Sequence, residues 1–347
     1  MEESAILRNL IETATEIASE GYRTAESVNE ILDNSEKKIL SIVKNRKSSE
    51  FRTIKDVLMK TQSDLERLSE SKGEITGLAT GWYDFDKLTT GLHPNEFIII
   101  AARPAMGKTA VALNLATHAA MTQDKSVAVF NLEMSAEQLA MRILSSLGQL
   151  EGFKLRTGNL MNQDWKRINE ASSQLANTNL VIDDTPGITI GEIRAKCRRL
   201  ASSEKGLALV VIDYLQLISG GKNYGTNRQQ EVSDISRSLK TLAMELGVPV
   251  IALSQLSRNV EQREDKRPLM SDLRESGSIE QDADLVMFLY RDDYYNKEAK
   301  TDDNTSISEL IIGKHRQGPT ATIELLFKKN TSTFVNFRKE RPEMEGQ

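Results

Sequence analysis

Residues 97–109 read Phe97-Ile-Ile-Ile-Ala-Ala102-Arg103-Pro104-Ala105-Met106-Gly107-Lys108-Thr109. The unbroken apolar run Phe97–Ala102 has the length and composition of a strand buried on both faces. The stretch that follows, residues 110–121, carries a helical pattern. Strand, tight loop, helix is the order that turns the amides of the loop and of the first helical turn toward an anion, and the helix dipole adds to the attraction. Gly107 lets the backbone approach closely. Lys108 can reach the β- and γ-phosphates of a nucleoside triphosphate such as ATP, and the Thr109 hydroxyl can ligate Mg²⁺. Arg103, Pro104, Ala105, Met106, Gly107, Lys108 and Thr109 are therefore the candidate nucleotide loop. The usual spacing is G-x-x-x-x-G-K-[ST]; Ala102 stands where the first glycine is expected, which lowers the specificity of the string, and the flanking strand and helix restore it.

Three further apolar runs end in polar residues suited to the same ligand. Leu209-Val-Val-Ile-Asp213 delivers a carboxylate that can hold Mg²⁺ through water opposite Thr109. The plain alternative is a strand-capping aspartate. Ser126-Val-Ala-Val-Phe-Asn-Leu-Glu133 delivers a glutamate to the carboxyl end of the sheet, where it can polarise an attacking water as general base. Its plain alternative is an acid at a helix start, because Met134-Ser-Ala-Glu137 opens a helix. Val248-Pro-Val-Ile-Ala-Leu253 leads to Ser254-Gln255, and Gln255 can hydrogen-bond the γ-phosphate. Convergence of these strand ends predicts an α/β domain with a central, mostly parallel sheet and a hydrolytic site at its carboxyl edge.

The remaining composition sets limits. A chain of 347 residues has room for a large α/β domain and a smaller one. No apolar run approaches the roughly 20 residues that span a bilayer. Cys197 is the only cysteine, so no intrachain disulfide and no cysteine metal site can form, which predicts a cytoplasmic protein with no membrane partner. The net charge of −5 lacks the basic surplus usual in nucleic-acid-binding domains. A nucleic-acid role would have to rest on a local surface or on one made by assembly.

Upstream, Ile6, Leu7, Leu10, Ile11, Ala14 and Ile17 recur at helical spacing up to Gly21, and Val28, Ile31, Leu32, Ile39, Leu40 and Val43 repeat the pattern. A helical hairpin over 1–47 is expected, with Gly21-Tyr-Arg-Thr24 as its turn. Residues 48–72 read as a linker and an amphipathic helix, Phe51–Leu68, which is either a surface helix of the next domain or a linker helix that docks onto a neighbouring subunit. The α/β domain is placed at 73–341 with a short tail at 342–347. Residues 291–306, polar and acid-rich, read as an exposed loop without chemistry, and the helix over Arg237–Leu246 as structural.

Several ordered strings resemble the replicative DNA helicases of the DnaB family. They are Ile75-Thr-Gly-Leu-Ala-Thr-Gly-Trp-Tyr-Asp-Phe-Asp86, the loop itself, Asn131-Leu-Glu-Met-Ser135, Ile212-Asp-Tyr-Leu-Gln-Leu-Ile218 and Ser254-Gln-Leu-Ser-Arg258. Asp272-Leu-Arg-Glu-Ser-Gly-Ser-Ile-Glu-Gln-Asp-Ala-Asp284 and Gly313-Lys-His-Arg-Gln-Gly-Pro319 complete the set. That family also has alanine at the first glycine position. The resemblance implies a RecA-like core of the P-loop ATPase class, in a ring-shaped homohexamer with ATP and Mg²⁺ between subunits. It implies that Lys314 and Arg316 reach the γ-phosphate of a neighbouring subunit, Arg316 as arginine finger. Arg274, Glu275 and Gly277 match the loop that holds single-stranded DNA in the central channel. Six inward copies of a modest loop would answer the charge puzzle. Family members carry a globular part before the hairpin; here Met1 falls near the hairpin start, so that part is expected to be absent, which bears on primase and helicase-loader contacts. The same core also serves filament-forming strand-exchange proteins and ATP-gated assembly modules; unwinding of a forked duplex separates these readings.

Overall fold

Alternate residues of strand β1 (Phe97–Ala102) point to opposite sides of the sheet, and both sides are covered. The computed structural model describes residues 2–22, 53–70, 75–220, 227–296 and 304–337, with Ile31, Ser35, Lys38, Ile39 and Asp302. The chain divides into two units, residues 1–73 and 74–347.

The larger unit contains β2 (Ser126–Asn131), β3 (Leu180–Asp183), β4 (Leu207–Asp213), β5 (Val250–Gln255), β6 (Leu285–Tyr290), β7 (Thr305–His315), β8 (Thr322–Lys328) and β9 (Thr333–Asn336). Among the described residues they form one sheet of order β3-β2-β4-β5-β1-β6-β7-β8-β9. Every pairing from β3 to β6 is parallel, and β6 through β9 continue as an antiparallel meander. The helices, in chain order, are α1 (Glu2–Tyr22) and α2 (Ile54–Glu70) in the smaller unit. In the larger they are α3 (Tyr83–Thr89), α4 (Lys108–Thr122), α5 (Ala136–Leu147), α6 (Gly152–Thr157), α7 (Asn162–Ala176), α8 (Ile190–Ala201), α9 (Arg228–Leu246), α10 (Gly277–Asp282) and α11 (Asp292–Tyr295).

The pleat divides the core in two. Ile98 and Ile100 pack with Val111 and Leu115 of α4 on one face, while Phe97 and Ile99 pack with Ile235 and Leu239 of α9 on the other. All of these side chains are fully buried or nearly so, and truncation of any isoleucine among them costs about 2–5 kcal/mol. The parallel order brings the carboxyl ends of β1, β2, β4 and β5 level with one another: Ala102 pairs with Gln255, and Asn131 with Asp213. That edge is the one the strand-end residues occupy.

The reading of 291–306 as an exposed loop is corrected. Arg291 and Asp293 are buried, α11 occupies Asp292–Tyr295, and β7 starts at Thr305. Arg291 Nε donates to Ser306 Oγ at 3.0 Å, its Nη2 lies 3.2 Å from Asp293, and Lys329 Nζ lies 2.8 Å from the same carboxylate. Polar composition conceals a satisfied buried network, because each charge there has its partner within the fold. Lys240 of α9 is likewise spent inside the fold, on Asp284 at 2.6 Å and on the Asn95 carbonyl at 2.9 Å.

In the smaller unit, α1 runs to Tyr22 and leaves Leu7, Leu10 and Ile11 exposed. Lys38 pairs with Glu20 at 2.5 Å and Glu16 at 3.3 Å, so a helical residue of the second segment lies beside α1. Arg23, Thr24, Val28, Leu32, Leu40 and Val43 lie outside the described residues, as do Phe51 and the tail. Helix α2 exposes Ile54, Val57, Leu58 and Leu65. Among the described residues no helix is long and apolar enough to cross a membrane.

Candidate nucleotide-binding and catalytic site

Helix α4 starts at Lys108, with Gly107 at its N-cap in the left-handed region at φ 99°. A β-carbon on Gly107 would stand 3.0 Å from Phe334 Cζ, so conformation and space both call for glycine. Ala105 also has positive φ, 66°, and Arg291 Nη1 donates to its carbonyl at 3.4 Å. Arg103 braces the other side of the loop: Nε donates to Glu261 at 2.9 Å and Nη1 to the Leu256 carbonyl at 2.8 Å. Met106 is buried in the core, while Pro104 and Ala105 are exposed. What the loop offers an anion is thus its amides, the Lys108 ammonium and the Thr109 hydroxyl.

The structure brings Thr109, Asp213 and Asn131 together. Thr109 Oγ1 donates to Asp213 Oδ2 at 2.6 Å, and Asn131 Nδ2 donates to the same oxygen at 3.3 Å. Asn131 Oδ1 accepts the amides of Glu133 at 3.0 Å and Met134 at 2.7 Å, so it fixes the turn that carries Glu133 relative to Asp213. Burial raises the proton affinity of Asp213, against the pull of Thr109 and Lys108. Burial also lowers the pKa of Lys108, opposed by the carboxylates of Asp213 and Glu133. The Lys108 ammonium sits 4.6 Å from the centre of the Tyr214 ring.

A cleft of ≈ 890 Å³ opens at these strand ends, large enough for a nucleoside triphosphate. The loop from Arg103, Glu133, Arg142, Tyr214, Gln255 and Lys329 line it. Asp213 Oδ1 is buried without a hydrogen-bond partner, which fits an acceptor reserved for a metal-bound water. Among the described residues no cluster of three or more His, Cys, Asp or Glu could hold a metal by itself. The donor set therefore fits Mg²⁺ shared with substrate phosphates, the usual mode for that ion.

Lys314 and Arg316 are not brought to this cleft. Strand β7 is antiparallel to β6, and His315 pairs with Leu285 at the amino-terminal end of β6, which itself pairs with Ile98. Arg316 therefore lies about 15 Å of strand away from the Ala102 end of β1. Its Nη1 donates to Asp284 at 3.0 Å and its Nη2 to the Gln281 carbonyl at 2.7 Å. Lys314 Nζ donates to the Glu280 carbonyl at 2.6 Å, and burial followed by the nearby Arg316 charge lowers its pKa. Arg274, Glu275 and Gly277 span the junction of the 3₁₀ helix Met270–Ser276 with α10; their side chains lie outside the described residues.

Asn131, Arg142, Tyr214 and Lys329 are site residues that strand-by-strand reading does not single out. Asn131 and Tyr214 flank carboxylates at strand ends, which is a signal. Arg142 and Lys329 come from α5 and the β8–β9 turn, and nothing local in sequence points them to phosphate.

Known proteins share the family and the fold of this chain. Residues 77–336 match the family described as DnaB-like helicase C terminal domain. The replicative DNA helicase DnaC of Bacillus subtilis (strain 168) is 54% identical over 339 residues, covering 98% of this chain and 74% of that protein. The replicative DNA helicase DnaB of Geobacillus stearothermophilus is 52% identical over 345 residues, covering 99% and 75%. Among solved structures, one ATPase domain superposes with a TM-score of 0.77 at 41% identity, covering 83% of this chain and 100% of that one. A DnaB-like replicative helicase, solved with its interactions with primase, superposes with a TM-score of 0.81 at 36% identity, covering 97% and 77%. The chain belongs to the DnaB family of replicative DNA helicases, and its fold is that of their RecA-like ATPase core.

Proposed function

We propose that this helicase works as a homohexameric ring that encircles single-stranded DNA and hydrolyses ATP at each subunit interface. One observation carries the reading. Lys314 and Arg316 sit at the opposite edge of the sheet from their own phosphate loop, so they act on a phosphate only in a neighbouring subunit. Residues 73–341 are the motor, 1–47 the helical hairpin, 48–72 the linker and its helix.

In the cis half of the site, the loop amides and Lys108 hold the β- and γ-phosphates. Thr109 and Asp213 would hold Mg²⁺, which would supply neutralisation of phosphate charge. Glu133 takes the proton of the attacking water, and Asn131 fixes the turn that carries Glu133. Gln255 hydrogen-bonds the γ-phosphate from the end of β5. The trans half supplies Arg316, whose guanidinium stabilises charge on the transferred phosphoryl group, with Lys314 beside it. Arg274, Glu275 and Gly277 hold the strand backbone in the channel. A primase contact is supported by the DnaB-like relative solved with primase; a loader contact rests on the family resemblance.

The test is unwinding of a forked duplex with ATP and Mg²⁺. Arg316→Ala should assemble into rings and bind nucleotide, yet lose DNA-stimulated hydrolysis by about 10³-fold or more. Full hydrolysis in that variant would remove the trans assignment.

A further inference from the structure

Asp284 closes the string 272–284 and has no part in the roles above, yet its carboxylate accepts three hydrogen bonds at the amino-terminal edge of the sheet. Its side chain is 9% exposed. Oδ2 accepts the Phe97 amide at 2.8 Å and the Lys240 ammonium at 2.6 Å. Oδ1 accepts Arg316 Nη1 at 3.0 Å. Main-chain bonds add to the clamp: Arg316 N donates to the Asp284 carbonyl at 2.9 Å, and Asp284 N to the Phe97 carbonyl at 2.8 Å. The carboxylate is thus anchored to the first residue of β1 and to α9 through one oxygen, and gives the other to Arg316. The rest of the seat is the carbonyl end of α10, where Gln281 O accepts Arg316 and Glu280 O accepts Lys314. Cations at a helix carboxyl end are also favoured by the helix dipole.

We infer that Asp284 is the positioning residue for Arg316, fixing where the guanidinium is presented to the neighbouring subunit's nucleotide. The inference rests on the proposed trans role of Arg316. The physical reason is pre-organisation. Arg316 is about half exposed, and a long side chain on a turn samples many rotamers unless something holds it. A buried carboxylate tied to β1 gives it a fixed charged partner, and electrostatic stabilisation of a transition state requires donors already in place. Because α10 begins at Gly277 and directly follows the 3₁₀ helix carrying Arg274 and Glu275, the same seat joins the candidate strand-contacting loop to the proposed trans residues.

The experiment is a double-mutant cycle of Asp284→Asn and Arg316→Ala in the full chain. It is read as kcat and KM for ATP with and without single-stranded DNA, with ring assembly checked by size exclusion. Asp284→Asn should lower DNA-stimulated kcat by about tenfold or more, while KM, set by the cis loop, stays within about twofold. The double variant should be no slower than Arg316→Ala alone, because a residue acting only through Arg316 has nothing left to position. Multiplying losses, or an unchanged kcat in Asp284→Asn, would overturn the inference. Should Asp284→Asn fail to fold because Lys240 is left unpaired, Asp284→Asn with Lys240→Met removes both charges. That pair must still be slow; wild-type turnover in it would show that Asp284 serves stability alone. Full turnover in Arg316→Ala would instead sink the trans reading itself, an outcome separate from a fast Asp284→Asn beside a dead Arg316→Ala.

Discussion

Asp213 shows how the site stores an unfavourable charge for later use. Its carboxylate is buried, one oxygen holds Thr109 and Asn131, and the other has no partner. Burial raises its pKa above the ordinary 3.8. A carboxyl whose folded-state pKa exceeds its unfolded value costs stability wherever it is ionised, and that cost is relieved as pH falls toward the unfolded value. Across the neutral range, then, Asp213 destabilises the nucleotide-free protein. Asp213→Asn is expected to raise Tm at neutral pH, with the gain shrinking as the medium is acidified. On the proposed metal role of Asp213, the same change should also cut hydrolysis by about 10–100-fold. A lower Tm in the variant would mean that the Thr109 hydrogen bond outweighs the charge. Lys108 follows the same logic with opposite sign, a half-buried ammonium whose pKa burial lowers against the pull of Asp213 and Glu133.

At the scale of elements, legibility follows the kind of burial. Strands β1, β2, β4 and β5 are buried on both faces, so they stand in the sequence as continuous apolar runs, and the residues ending them are readable as a constellation. Strand β7 instead alternates buried and half-buried positions, and its Ser306 and Ser308 are buried although polar. Its start, and α11 before it, therefore look like a solvated loop. Arg291 is hidden for the same reason: a charge reads as exposed unless its partners are known, and those partners, Asp293, Ser306 and the Ala105 carbonyl, are joined only by the fold. The guanidinium also lies 4.9 Å from the centre of the Phe327 ring. Removing it leaves Asp293 with Lys329 and the Ser306 hydroxyl and frees the contact to the Ala105 carbonyl in the loop. Arg291→Met should lower unfolding free energy by about 3 kcal/mol in a urea titration. An unchanged midpoint would show that Lys329 and Ser306 satisfy Asp293 without it.

For the whole molecule, the proposed trans role of Lys314 and Arg316, which lie apart from the phosphate loop along the sheet, would make hydrolysis a property of neighbours. On that proposal each subunit has a cis half at the carboxyl edge and a trans half at the amino edge, and the register of β6 with β7 keeps these residues apart. Such a head-to-tail arrangement closes on itself only in a ring, and closure gives every cis half a trans partner. The acidic net charge is compatible with this if, as proposed, the surface that meets DNA is assembled from copies of one short segment. Mixing two inactive variants tests the arrangement directly. Lys108→Ala subunits lack a working cis half but keep Arg316; Arg316→Ala subunits keep the cis half but lack the finger. In a random equimolar ring, an interface works when an Arg316→Ala subunit's cis half meets a Lys108→Ala neighbour, which holds for about a quarter of the sites. Hydrolysis should therefore return to a fraction of the wild-type rate on mixing, after exchange of subunits, although each parent is inert. If Arg316 served its own subunit's nucleotide, no interface in the mixture would be complete and the mixed rings would stay as inactive as their parents.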